Sequence, residues 1–99
     1  HCPHAVALTL GGDDYLPPDF EGPYYLPRVP VLSIDYAEYV ETAPALVARA
    51  LVDSRVVLVR GHGVYARGAT SNEAYKRTCS LELSAQTAWL ARMAGTLPG

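Results

Sequence analysis

The sequence predicts an α/β fold, in which helices pack on a mainly antiparallel sheet. The first observation is a run of four apolar residues at 56–59, VVLV, which is typical of a strand covered on both faces. The second is the stretch that follows, RGHGVYARG, where closely spaced glycines predict a tight reversal into another short strand. The third is a pair of apolar periodicities, at 42–52 and 71–93, that predict helices able to cover such a sheet.

Length and composition indicate one small globular domain. The 99 residues are 49% hydrophobic and 18% charged, an ordinary balance that supports a single small core. The net charge of -2, without long charged runs, does not favour nucleic acid or a membrane surface as a partner. Two cysteines, Cys2 and Cys79, do not make a disulfide framework, so we predict reduced thiols and a cytoplasmic protein. The sequence shows no signal-peptide pattern. Because the chain begins with His1 rather than methionine, we expect a piece of a longer protein.

Residues 1–12, HCPHAVALTLGG, predict a short helix. A proline suits its first turn, and two glycines end the apolar run. A short strand at 5–10 is the alternative, because larger and smaller apolar side chains alternate there. His1, Cys2 and His4 form one candidate metal cluster, which lacks a fourth ligand. Solvated histidines at a ragged terminus are the alternative for this cluster.

The middle of the chain predicts an irregular connection, a strand and a helix, in that order. Residues 13–30 are rich in proline and contain three tyrosines, a composition typical of a long functional or interface loop. The apolar run at 29–34 predicts a strand that begins at a proline. Thr42 is the expected cap of the helix at 42–52, and Pro44 fits its first turn.

The C-terminal part predicts the longest helix, at 71–93, and a frayed tail at 94–99. Thr70 and Glu73 have the spacing of a capping box, which marks the first turn of that helix. Glu82 lies among residues of the apolar face. It is either a solvated neighbour of that face or a carboxylate directed toward a functional site.

His62 is the residue of the central hairpin that could carry chemistry. Gly61 and Gly63 flank it, and glycines allow unusual backbone conformations and the close approach of another group. A neutral imidazole held between two strands, here predicted at 56–61 and 64–66, is a candidate metal ligand. The alternative is a turn histidine without any ligand.

Three segments, taken in order, resemble the class II aldolase/adducin family. They are HCPHAVALTL at the start, DFEGPYYLPRVPVL in the middle, and RGHGVYARG leading into NEAYKRTCSLELSAQ. The resemblance extends from residue 1 to about residue 93. It implies a class II aldolase-like α/β fold truncated at the N-terminus, so that residues 1–99 are a single partial domain corresponding to the C-terminal half.

The resemblance implies a zinc-dependent lyase. Carried over by position, His1 matches the second histidine of the family's H-x-H metal-binding pair, and His62 matches the third metal ligand. The first histidine of the pair falls two residues before His1. The family's catalytic acid/base carboxylate and most of its phosphate-binding residues fall further upstream.

The chain departs from the family's pattern at a catalytic tyrosine. The family's aldolases use a tyrosine that reaches the site from a neighbouring subunit, on the loop after the H-x-H pair. The corresponding place here is near Phe20 and Glu21, where no tyrosine stands. The substitutes are Tyr24 and Tyr25, with Glu21 as a further catalytic candidate, and this departure leaves the reaction type open.

Two functions from different classes follow from the resemblance. The first is retro-aldol cleavage of a ketose 1-phosphate, such as L-fuculose 1-phosphate, to dihydroxyacetone phosphate and an aldehyde, by a homotetramer. Related dehydratases, epimerases and decarboxylases use the same scaffold. The second is a non-catalytic, adducin-like domain or fragment that serves association. An H-x directly before His1, with a glutamate further upstream, favours the enzyme.

The two candidate metal sites make different predictions. A zinc ion shared by His1 and His62 predicts that their imidazoles lie within about 3–5 Å of each other. The local cluster at the start of the chain predicts that His62→Ala leaves metal binding unchanged. With two of three histidines, the 99-residue chain should bind zinc loosely, lack aldolase activity and self-associate.

Overall fold

The computed structural model describes residues 1–97 as four helices and three strands. In chain order these elements are α1 Pro3–Leu8, α2 Gly22–Tyr25, β1 Val31–Leu32, α3 Tyr39–Asp53, β2 Val56–Val59, β3 Gly63–Ala66 and α4 Ser71–Ala94. A 3₁₀ turn, Tyr36–Glu38, leads directly into α3. Of the helices described, none is both long enough and apolar enough to cross a membrane.

The sheet is mixed, so the prediction of a mainly antiparallel sheet is wrong. The strand order is β1-β2-β3, with β1 parallel to β2 and β2 antiparallel to β3. The reason is α3, which carries the chain from β1 back to the start of β2, and such a crossover places neighbouring strands in parallel. The predicted hairpin of β2 and β3 is confirmed, with Val57 opposite Tyr65.

β2 is the buried centre of the molecule, as its continuous apolar run predicts. All four of its residues are at most 1% exposed. Val56 and Leu58 pack on one face, in the cluster that includes Leu81 of α4 and Ala5 of α1. Val59 packs on the other face, against α3. The two faces of a strand alternate along its sequence, so one four-residue strand joins both halves of the core.

The strand predicted at 29–34 is reduced to Val31–Leu32. Val29 pairs instead with Tyr15 in an isolated antiparallel bridge, with both backbone hydrogen bonds at 2.9 Å. Pro30 has no amide to donate to a ladder, although its carbonyl accepts a bond from the Leu58 amide at 2.9 Å. The rest of residues 13–30 is irregular as predicted, apart from the short helix α2.

The two long helices differ in how well their starts were predicted. α4 begins as expected, since the Thr70 hydroxyl accepts a hydrogen bond from the Glu73 amide at 3.1 Å. α3 begins before the predicted cap Thr42, because the preceding 3₁₀ turn already has helical geometry, and Pro44 therefore lies inside the helix. Within the tail predicted at 94–99, Ala94 ends α4 and Gly95 caps it with a φ of 78°. Residues 98–99 lie outside the described part of the chain.

Candidate metal centre

His62 stands at the reversal between β2 and β3. Gly61 takes a φ of 72°, a left-handed conformation that glycine adopts without steric cost. The His62 amide donates a hydrogen bond to the Val59 carbonyl at 2.9 Å, which closes the turn. The turn therefore holds an exposed imidazole at the end of the most buried strand.

His1 comes from the opposite end of the sequence and lies beside the same turn. Its ring centroid is 5.6 Å from that of His62, with the two rings inclined at 61°. Gly63 makes this approach feasible, because a Cβ at that position would lie 3.1 Å from His1 Nδ1. The two predicted metal ligands are thus neighbours in space, although they lie far apart in sequence.

Tyr39 and Tyr65 form a second layer behind His62, and sequence reasoning missed both. The Tyr39 ring lies 4.7 Å from the His62 ring between centroids, and the Tyr39 and Tyr65 hydroxyls are hydrogen-bonded to each other. That hydrogen bond, with a smaller effect of burial, raises the pKa of Tyr39 to about 12. The available signal was weak, since Tyr39 falls just before the predicted helix, where nothing indicates a contact with the hairpin.

The local metal cluster of His1, Cys2 and His4 does not form. Cys2 is buried in the core at 7% exposure, and burial raises the pKa of its thiol, which disfavours the thiolate that binds metals. His4 Nδ1 is instead 2.7 Å from Glu82 Oε2. Within residues 1–97, no group of three or more His, Cys, Asp or Glu side chains is arranged to hold a metal ion.

Glu82 is neither a solvated surface residue nor a group aimed at the imidazole pair. Its carboxylate accepts hydrogen bonds from the amides of His4, at 3.1 Å, and Ala5, at 3.0 Å, in the first turn of α1. Burial raises the pKa of Glu82, but the hydrogen bonds from Ala5 and His4 outweigh it and leave that pKa below its ordinary value. Glu82 therefore caps α1, the helix that follows His1.

The catalytic candidates of the proline-rich segment lie on or next to α2, which packs against α4. Glu21 and Tyr25 line a cleft of about 580 Å³ together with Arg55, Lys76 and Arg77, and neither His1 nor His62 is among its lining residues. Tyr24 is 80% exposed and Phe20 is 98% exposed. Glu21 and Tyr25 thus line a cleft that includes neither histidine.

The residues present fit part of a zinc site. Zinc binds imidazole nitrogen at about 2.0–2.1 Å and takes three protein ligands in catalytic sites. His1 and His62 are both exposed, and they lie side by side next to a glycine that leaves room around them. Within residues 1–97, the two imidazoles are side chains that could serve as such ligands, and the other positions of a zinc site would be filled from elsewhere.

Comparison with known proteins shows the family to which the chain belongs. The chain resembles the crystal structure of L-fuculose-1-phosphate aldolase from Thermus thermophilus, with 36% sequence identity and a TM-score of 0.86. The match covers 99% of this chain and 53% of that one, so the chain spans about half the length of this relative. No protein of curated function matches. Residues 1–89 match the family described as Class II Aldolase and Adducin N-terminal domain. Because that match takes in most of its residues, the chain belongs to the class II aldolase and adducin family.

Proposed function

We propose that this chain carries two ligands of the zinc site of a sugar-phosphate aldolase. The reaction is retro-aldol cleavage of a ketose 1-phosphate, such as L-fuculose 1-phosphate, to dihydroxyacetone phosphate and an aldehyde. The observation that carries the proposal is the pairing of His1 and His62, whose ring centroids are 5.6 Å apart. Membership of the family and the likeness to a fuculose-phosphate aldolase support a reaction of the lyase class.

The chemistry requires stabilisation of the negative charge that develops when the carbon–carbon bond breaks. A zinc ion held by His1 and His62 would supply the Lewis acid that stabilises this charge. His1 and His62 would hold that ion through imidazole nitrogens, and Gly63 keeps the space beside His1 free of a side chain. Tyr39 packs against His62 and limits the orientations available to its ring.

The remaining functional groups come from outside the imidazole pair. The third histidine, the acid/base carboxylate and the phosphate-binding groups belong to other parts of the enzyme. We assign Tyr24, Tyr25 and Glu21 to a second subunit's site, because both tyrosines are exposed on one short segment and Glu21 directly precedes α2. This assignment requires an oligomer, for which we propose a homotetramer. We place it in the cytoplasm, where Cys2 and Cys79 stay reduced.

Zinc titration of the 99-residue chain tests the ligand assignment. We expect weak binding by the wild-type chain, and a further loss in His62→Ala and in His1→Ala. His4→Ala is the matched control, because it removes the other imidazole near α1 but keeps the backbone amides at positions 4 and 5 that donate to Glu82. Binding that survives His62→Ala and disappears in His4→Ala would show that the ligands are misassigned.

Cleavage of L-fuculose 1-phosphate, with dihydroxyacetone phosphate measured as product, tests the reaction. We expect no turnover by the 99-residue chain. A chain extended by the upstream reading frame should turn over the substrate and should also bind zinc more tightly. An upstream frame without an H-x pair directly before His1 would instead favour the association function. Turnover by the unextended chain as a clean monomer contradicts the proposed division of catalytic residues.

A further inference from the structure

We infer that Glu82 is the positioning residue that fixes the His1 imidazole beside His62. The functional meaning of this inference rests on the proposed metal site. The observations behind it are the contacts between α1 and α4. Glu82 touches neither of the two imidazoles that we assign to the metal. It acts on His1 through the first turn of α1.

Both carboxylate oxygens of Glu82 are engaged by the start of α1. Oε1 accepts from the Ala5 amide at 3.0 Å, while Oε2 accepts from the His4 amide at 3.1 Å and lies 2.7 Å from His4 Nδ1. The first amides of a helix have no partner within the helix, so a side chain from elsewhere commonly satisfies them. Cys2, the residue before α1, makes no side-chain capping hydrogen bond. Glu82 performs that function from α4.

The distance from this anchor to His1 is short and the intervening chain is rigid. Only Cys2 and Pro3 separate His1 from the anchored amides. Cys2 is buried in the core cluster, and Pro3 occupies the first position of α1, where its ring restricts φ. A change in the position of the first turn therefore moves the His1 ring relative to Gly63 and His62.

The other end of α1 is held independently, which makes the role of Glu82 separable from folding. Arg60 donates from Nη1 to the Thr9 carbonyl at 2.8 Å and from Nη2 to the Gly12 carbonyl at 3.0 Å. Ala5 is fully buried in the core. When the anchor at Glu82 is weakened, we expect the first turn and His1 to move while the helix remains attached.

Glu82→Gln is the informative substitution. It keeps the length of the side chain but replaces one acceptor oxygen with an NH₂ group, which would face a backbone N–H donor. At least one of the two amide hydrogen bonds must then be lost. Glu73→Gln is the matched control, because Glu73 lies on the same helix and also accepts a backbone hydrogen bond, from Ala69 at 2.9 Å, far from α1.

The first measurement is the nuclear Overhauser effect between the ring protons of His1 and His62 in the metal-free chain. We expect this signal in the wild type and in Glu73→Gln, and its loss in Glu82→Gln. The second measurement is zinc affinity, for which we expect a decrease of about 10–100-fold in Glu82→Gln only. If Glu82 had a purely structural role, Glu82→Gln and Glu73→Gln would both lose thermal stability. Neither variant would then change the ring-to-ring signal or the zinc affinity.

The outcomes separate this inference from the proposed function. If Glu82→Gln keeps both the ring-to-ring signal and wild-type zinc affinity, the positioning role is wrong. If His1→Ala and His62→Ala bind zinc like the wild type, the metal assignment fails, while the ring-to-ring signal still decides the role of Glu82. If Glu82→Gln does not fold, the same measurements are made on Glu82→Asp. Unfolding of both variants would overturn the inference, because Glu82 would then support the whole fold.

Discussion

At the scale of single residues, the site depends on the absence of a side chain at Gly63. Gly63 is buried at the start of β3, and the position of its absent Cβ lies 3.1 Å from His1 Nδ1 and 3.7 Å from His1 Cε1. Contacts at 3.1 Å are tighter than a methyl group normally accepts, so the imidazole has to move if the methyl group is added. The glycine after His62 thus matters for the approach of His1 more than for the turn itself, where Gly61 has the positive φ.

We predict that Gly63→Ala weakens zinc binding several-fold with only a small change in the free energy of unfolding, because the displaced neighbour is a terminal side chain. Gly11→Ala is the matched control, since a Cβ there meets nothing within 4 Å. Zinc titration and thermal unfolding of both variants test this. Equal zinc affinity in Gly63→Ala and the wild type would mean that the His1 position seen here is not the one that binds.

Tyr39 provides a second residue-scale prediction. Its hydrogen bond with Tyr65 raises the pKa of Tyr39 to about 12, above the ordinary value of 10.0. Because the folded-state pKa is raised, the stabilisation is fully present below pH 10.0 and is lost as the pH rises through about 12. Tyr39→Phe should cost at most about 1 kcal/mol at neutral pH, because the pair is partly exposed. It should also remove the step near pH 12 from an absorbance titration of the tyrosines.

At the scale of elements, the site is the meeting point of α1 with the hairpin of β2 and β3. α4 packs against both α1 and β3, the two elements next to which His1 and His62 lie. Leu81 and Ala85 of α4 are fully buried in the same cluster as Ala5 of α1. The apolar contacts give the general position of α1, and the hydrogen bonds to Glu82 define its first turn.

The junction of α1 and α4 should show a characteristic pH dependence. The pKa of Glu82 lies below its ordinary value of 4.5 when the protein is folded. A lowered pKa stabilises the folded state above pH 4.5, and this contribution is lost as the pH falls through the folded-state value. We therefore expect the difference in melting temperature between the wild type and Glu82→Gln to be largest near neutral pH and to shrink below pH 4.5.

Thermal unfolding of both proteins across this pH range provides the test. Hydrogen exchange of the His4 and Ala5 amides, which donate to Glu82, gives a local measurement of the same event. A difference in melting temperature that stays constant down to about pH 3 would argue that the carboxylate charge does not contribute.

At the scale of the whole molecule, many large apolar side chains remain in solvent. Phe20 and Tyr36 are each 98% exposed, and Val40 on α3 is 86% exposed. β1 and β3 are the outer strands of the three-stranded sheet described for residues 1–97. Exposed apolar area and open strand edges both favour association with other chains.

We therefore predict that the 99-residue chain self-associates at micromolar concentration. Sedimentation equilibrium should give a mass above the 10.7 kDa of one chain. The association should weaken in low concentrations of denaturant, because burial of apolar surface drives it. A single species at the mass of one chain throughout would contradict the prediction and the oligomeric assignment that depends on it.

Local sequence patterns were sufficient to predict several of the secondary-structure elements. The apolar run at 56–59, the glycines around His62 and the cap at Thr70 predicted β2, the hairpin and the start of α4, because strand burial, turn conformation and capping act over a few residues. The resemblance to a family also named both histidines. Contacts between residues far apart in the chain became visible in the three-dimensional structure. They are the parallel pairing of β1 with β2, the backbone bridge between Val29 and Tyr15, the contact of Tyr39 with His62, and the capping of α1 by Glu82. These contacts depend on how helices and strands pack in space, and the local sequence around a residue does not indicate which distant residue it will contact.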